Sequence, residues 1–259
     1  MSTREEATGL ETGVVTGAGS GLGREIALLA ASGGSRIVVA DRDEKGAAET
    51  VRLIEESGGS ARAASLDVTQ EDSVAALFED LRDRGEELTW AVNNAGIHPD
   101  DSRLAELDLA AFDRIMSVNA RGVALCLKYE MAALQAAGTQ GRIVNIGSTR
   151  SFRAIAGSAA YVASKFAVIG LTETAALEGG PHGIRVNCVC PGVMSTPMVR
   201  ARRRGSPESE ADYIDRVGGV LGRIGSPTEV AEAVAWLLSE SSSYVTGHTL
   251  VADGGYRIR

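Results

Sequence analysis

The chain has 259 residues, 44% of them hydrophobic and 23% charged, with a formal net charge of −8. That composition suits a globular α/β protein and argues against disorder, a fibre, or nucleic acid as the main partner. No apolar run approaches the roughly 20 residues of a membrane span, and "MSTREEATGLET" lacks the apolar core of a signal peptide, so a cytoplasmic protein with no membrane partner is expected.

In chain order, "TGVVTG" predicts a first buried strand, followed by the glycine-rich turn "TGAGSGLG" and the amphipathic stretch "LGREIALLAAS". "RIVVAD" predicts a second strand and "EKGAAETVRLIEES" a second helix. Further strands are expected at "ARAASLD", "LTWAVNNAG", "GRIVNIGS", "GIRVNCVCPG" and "HTLVADGG". Continuous β-branched runs separated by helical patterns mark a parallel sheet covered on both faces. The expected fold is therefore α/β: a single doubly wound Rossmann-type domain over 1–259, with about seven parallel strands. Residues 193–226, with "VRARRRG" followed by "SPESEADYIDR", break the rhythm as a charged, irregular segment placed where a substrate lid would lie. "LEGGPHG" puts Gly179 and Gly180 where a helix should end, which predicts a loosened terminus.

Three cysteines and three histidines, without clustered spacing, predict no metal site. Cys188 and Cys190, two apart in one strand, are read as facing opposite sides of it and so unable to bond each other, and Cys126 stands alone in an apolar helix. Buried inert thiols in a reducing compartment are expected.

The glycine turn follows a strand and opens a helix, where free N–H groups favour a pyrophosphate. Its four alternate glycines (Gly17, Gly19, Gly21 and Gly23) do not give the common G-x-G-x-x-G spacing, and alone the stretch is a weak signal. Asp41 ends the second strand about 20 residues later, where a carboxylate bonds the adenosine ribose and repels a 2′-phosphate. Arg42 beside it is either a phosphate partner or a solvated residue stacking on adenine. Further on, Tyr161 and Lys165 in "YVASK" fall four apart on one helical face, and Ser148 ends a strand thirteen residues before Tyr161.

These segments, with "LDVT", "SVN", "TPM" and "VTGHTLVADGG", fall in the order of the short-chain dehydrogenase/reductase family, which the chain resembles over about residues 12–255. The resemblance implies hydride transfer between a secondary alcohol carbon and a nicotinamide. It implies that Ser148 polarises the substrate oxygen, Tyr161 transfers the proton, Lys165 binds the nicotinamide ribose and favours the phenolate, and Asn119 holds a relay water. A phenol, with a pKa of about 10, needs that help to act as a base at neutral pH. The cofactor would be held by Gly17, Ser20, Gly21, Leu22, Gly23 and Asp41, and by Asp67 and Val68 at the adenine. Asn93, Asn94, Ala95 and Gly96 would line its cleft, and Pro191, Gly192, Val193 and Thr196 would meet the carboxamide end. Asp41, with Ser20 where a basic residue often marks the phosphorylated cofactor, favours NAD. The other readings are an NADPH-dependent 3-oxoacyl reductase and a non-catalytic NAD(H) sensor.

Relatives often carry glycine soon after the serine, whereas this chain has Arg150 and Arg153. With Arg200, Arg202, Arg203 and Arg204 in the lid segment and His98 after "NNAG", these residues form either an anion-binding cluster around the substrate or solvated pairs with Glu208, Glu210, Asp212 and Asp215. The resemblance also implies a homotetramer or homodimer formed through helices at about 119–137 and 158–177. The apolar circumference of "GVALCLKYEMAALQAA" agrees with this.

Overall fold

The computed structural model describes residues 10–98, 102–138, 140–203 and 207–259. Seven strands form one sheet: β1 (Thr12–Thr16), β2 (Arg36–Asp41), β3 (Ser60–Ser65), β4 (Leu88–Asn93), β5 (Arg142–Ile146), β6 (Arg185–Pro191) and β7 (Thr249–Ala252). All pair in parallel, in the order β3-β2-β1-β4-β5-β6-β7. All seven expected strands are present.

Alternation along each strand divides the core into two layers. Val14, Val38 and Cys188 face a layer made by α3 (Glu71–Asp83), α5 (Gly122–Ala137) and α6 (Ala159–Gly179). Val15, Val39, Val92 and Val144 face α1 (Gly21–Ser32), α2 (Glu44–Glu56) and α9 (Pro227–Leu238). Glycine in the middle of β1 has a packing cause: a Cβ on Gly13 would lie 2.0 Å from Cζ2 of the buried Trp90 across the sheet. Burying a large apolar side chain of this kind contributes roughly 1.5–3 kcal/mol, so a wider residue at 13 would displace a principal core group.

The described part of residues 193–226 is not irregular. It holds α7 (Pro197–Arg203) and α8 (Glu210–Val217), the latter capped by the Ser209 hydroxyl, which accepts from the Asp212 N–H. Its charged residues make ion pairs with one another, which supports helix where composition alone suggested a loop. α6 ends at Gly179 and passes through one 3-10 turn to Gly183, whose φ of +73° stops it.

The cysteine expectation is corrected. Residues i and i+2 of a strand share a face, and the sulfurs of Cys188 and Cys190 lie 3.8 Å apart on the same side of β6, unbridged and buried. Their mutual hydrogen bond and burial push the Cys188 thiol up.

The strand order reverses between β1 and β4, and there the carboxyl ends open a cleft of about 450 Å³. This is where ligands bind in open α/β sheets.

Candidate active site

One end of the cleft is lined by Gly17, Ser20, Gly21, Leu22, Asp41, Arg42, Asp67 and Val68. Gly17 turns with φ +65°, and a Cβ there would lie 2.8 Å from the Ala95 Cα. Such a turn accepts only glycine without strain. Gly23 does not line the cleft; it is buried behind it, where a Cβ would meet the Gly17 carbonyl oxygen at 2.3 Å. Asn94 clamps the loop from β4: its Nδ2 donates to the Thr16 and Gly17 oxygens, both at 3.0 Å. The Thr16 hydroxyl in turn accepts from the Asn94 and Ala95 N–H groups, both at 3.1 Å.

Asp41 accepts from the Gly19 N–H at 2.8 Å and, on its other oxygen, from the Asp43 N–H at 2.9 Å. Each carboxylate oxygen keeps a further lone pair toward the cleft, a fit for a vicinal ribose diol. Asp67 is held below the usual carboxylate range, chiefly by hydrogen bonds from the Thr69 hydroxyl and N–H. A glycine loop with no room for a Cβ at Gly17 or Gly23, running to the acceptor-only side chain of Asp41, fits an adenosine dinucleotide.

At the other end, Ser148, Tyr161 and Lys165 line the same cleft. Ser148 follows β5 and opens a 3-10 turn, its hydroxyl accepting from the Arg150 N–H at 3.1 Å. Tyr161 and Lys165 lie on the first turns of α6, and the Lys165 ammonium is 5.9 Å from the Tyr161 ring centroid. Lys165 is buried and donates to the Ile146 carbonyl at 2.8 Å. Asn119 is fully buried behind this group, in a π-helical turn (Ser117–Arg121) between α4 (Leu109–Met116) and α5. Its side chain exchanges two hydrogen bonds with the backbone of Ile97, at 2.8 and 3.0 Å, and donates to the Ser164 hydroxyl at 3.2 Å. The extra residue of the π-turn aims this amide out of the helix register.

Asn94, Ala95, Gly96, Pro191, Gly192, Val193 and Thr196 also line the cleft. Asn93 does not. Strand alternation turns it to the opposite side of its neighbour Val92, where its Nδ2 donates to Glu130 and Asn145, both at 2.9 Å. His98 lines the substrate end, its ring edge-on to Tyr161 with centroids 4.5 Å apart.

The arginines do not form one cluster. Arg203 pairs with Glu210, and Arg200 donates to the Ser195 carbonyl at 3.1 Å. Arg153 lies over the Tyr256 ring and donates to the Arg259 oxygen at 3.2 Å. Arg204 and the side chain of Arg202 lie outside the described residues. Of the described ones among these, Arg150 alone lines the cleft.

Several supporting residues escape a motif reading. The Ser151 hydroxyl donates to the Lys165 carbonyl at 2.7 Å and accepts from the Ser148 N–H at 3.2 Å, latching the serine turn to α6. Arg24 reaches from α1 to the Gly19 carbonyl and to the Thr50 hydroxyl, fixing the loop on α2. Below the cleft Glu130 is fully buried, and burial pushes its carboxyl up to about 8. The only available signal was a charged residue within an apolar helix. Among the described residues no group of three or more His, Cys, Asp or Glu is placed to hold a metal, and no helix is long and apolar enough to cross a membrane.

Comparison with known proteins agrees with this site. A family model described as enoyl-(acyl carrier protein) reductase matches residues 17–257. The chain is 39% identical over 247 residues to 2,5-dichloro-2,5-cyclohexadiene-1,4-diol dehydrogenase of Sphingobium indicum, covering 95% of this chain and 96% of that one. It is 40% identical over 251 residues to cis-4-hydroxycyclohexanecarboxylate dehydrogenase of Sinomonas cyclohexanicum, covering 97% and 98%. The crystal structure of levodione reductase superposes with a TM-score of 0.90 at 31% identity, covering 96% of this chain and 98% of that one. With a glycine loop, a serine turn and a Tyr-Lys helix meeting at one cleft, and with matches along nearly its whole length, the chain belongs to the short-chain dehydrogenase/reductase family of oxidoreductases.

Proposed function

We propose that the chain is an NAD-dependent dehydrogenase that oxidises a small, ring-bearing secondary alcohol to the ketone, or runs the reverse. The observation that carries this reading is the convergence of Ser148, Tyr161 and Lys165 on one cleft whose far end is the glycine loop and Asp41. The ring class is supported by the cyclic alcohols in the names of two relatives. It is also supported by the apolar side chains of Ile97, Met194, Met198 and Val199 on the cleft wall.

The residues divide the chemistry as follows. The Ser148 hydroxyl donates to the substrate oxygen and fixes its position. Tyr161 takes the hydroxyl proton of the alcohol, or returns it to the ketone. Lys165 uses one N–H on Ile146 and keeps two for the nicotinamide ribose, and its charge stabilises negative charge developing on the Tyr161 oxygen. Asn119 holds the Ile97 backbone and Ser164 behind this pair and is the proposed seat of the relay water. The nicotinamide supplies the hydride acceptor or donor. Alcohol carbon loses a hydride, oxygen loses a proton, and a ketone results.

Asp41 supports NAD over NADP: it presents acceptors alone to the place a 2′-phosphate would enter. Arg42 lines the same wall and is the observation favouring the phosphorylated cofactor. Initial rates with NAD⁺ and NADP⁺ over cyclic and acyclic secondary alcohols decide the matter. NAD⁺-dependent turnover of ring alcohols is expected, whereas no turnover at all leaves the sensor reading. A homotetramer or homodimer is supported by Phe166 and Leu177, apolar residues exposed on α6; a monomeric mass by light scattering at micromolar concentration contradicts it. Three buried, unbridged thiols support a cytoplasmic location.

A further inference from the structure

Arg150 carries a charge that nothing around it balances. Its backbone N–H is fixed on the Ser148 hydroxyl, which puts its side chain on the substrate end of the cleft wall. The guanidinium lies over the Tyr256 ring, 5.5 Å from its centroid, and donates one long bond of 3.4 Å to the Tyr256 hydroxyl. Its Nη1 is buried with no hydrogen-bond partner. Among the described residues no carboxylate lies within ion-pair distance of it, whereas Arg142, Arg203, Arg216, Arg223 and Arg259 each meet one. Arg150 is half-buried, and a guanidinium nitrogen sealed from water without a partner is costly unless an anion completes the group.

The rest of the cleft says where that anion comes from. Its charged lining residues are Asp41, Arg42 and Asp67 at the adenosine end, Lys165 on Ile146, and Arg150. Arg150 is thus the unassigned charge at the end where the substrate ring would sit, lining the same cleft as Ile97, Met194, Met198 and Val199. A single planar guanidinium, with no lysine or glycine nest beside it, suits a carboxylate rather than a phosphate.

We propose that Arg150 is a specificity-determining residue for a carboxylate, so that the substrate is a secondary alcohol whose small apolar ring also bears a carboxylate group. Tyr256, from the C-terminal segment, is its platform. The proposal rests on the dehydrogenase reading above.

The test compares kcat/KM for 3- and 4-hydroxycyclohexanecarboxylate with kcat/KM for their methyl esters, which keep the shape and remove the charge. In the wild type the acid is expected to exceed its ester by at least about tenfold, the size of one charge-assisted contact. Arg150→Ala is expected to collapse that ratio, and Arg150→Lys to retain part of it. Because acid and ester are compared within one variant, general damage to the site cancels. Arg150→Gln takes the place of Arg150→Ala should the latter not fold. A wild-type ratio at or below one, or a ratio that neither neutral variant moves, overturns the proposal. No turnover of acids, esters or cyclohexanol overturns instead the dehydrogenase reading beneath it.

Discussion

Asp41→Ala separates the two cofactors by charge alone. In the wild type both carboxylate oxygens already hold backbone N–H groups of the cleft rim, at 2.8 and 2.9 Å, so the side chain is fixed before any ligand arrives. A ribose hydroxyl donating to a fixed carboxylate gains about 1.5–3 kcal/mol, or roughly 10- to 150-fold in affinity. A 2′-phosphate in that position instead meets a like charge, which at about 4 Å and an effective dielectric near 20 costs on the order of 4 kcal/mol per unit charge. Removing the carboxylate abolishes both effects and leaves Arg42 on the same wall to receive a phosphate. The ratio of kcat/KM for NAD⁺ over NADP⁺ should fall by at least about a hundredfold. Adding Arg42→Ala should take back the NADP⁺ gain without restoring NAD⁺. The assay is initial rates with both cofactors at saturating alcohol. A wild type that already prefers NADP⁺, or a ratio that Asp41→Ala leaves alone, refutes the reasoning.

Other expectations follow from the surrounding structure. Gly23→Ala puts a Cβ 2.3 Å from the Gly17 carbonyl oxygen, a clash with rigid backbone, so weaker dinucleotide binding and a loss of about 1–3 kcal/mol of stability are expected by calorimetry and chemical unfolding. Ser151→Ala breaks the latch between the Ser148 turn and Lys165; kcat should drop by roughly tenfold while the Kd for NADH hardly moves, and an equal loss in both contradicts a positioning role. Glu130, with its carboxyl pushed up to about 8 from an ordinary 4.5, stays protonated in the folded chain where the unfolded chain has ionised. Stability should therefore fall as pH rises from about 4.5 to 8, by up to about 1.4 kcal/mol per pH unit, and level off above that. Glu130→Gln should flatten this slope in unfolding curves taken between pH 5 and 8; an unchanged slope rules the residue out as its source.

Much of this molecule is written in local pattern. The seven strands were legible because each is a short β-branched run, and the cleft because the glycine loop, Asp41, Ser148, Tyr161 and Lys165 stand at spacings that one fold brings together. What escaped depends on side-chain direction or on distant partners. Asn93 adjoins three cleft residues yet faces Glu130 and Asn145, because a strand turns alternate residues to opposite layers. The same alternation puts Cys188 and Cys190 on one face rather than on opposite ones. The composition of residues 193–226 suggested an irregular segment, but two helices form there, with Arg203 on Glu210 and Arg216 on Glu208. Gly13 in a strand is explained only by Trp90, 77 residues later and one strand across. The pairing of Arg203 with Glu210 was legible as nearby opposite charge, whereas the isolation of Arg150 has no signal in spacing.

In the proposed reaction Tyr161 moves the proton of a nicotinamide-linked oxidation. Tyr161→Phe keeps the ring packed against His98 and beneath Lys165 and removes one oxygen atom. The direct test measures kcat alongside NADH affinity, by fluorescence titration, in the same preparation. A turnover loss of at least about a hundredfold with NADH binding retained is expected. Near-normal turnover in a variant that binds NADH as well as the wild type contradicts it.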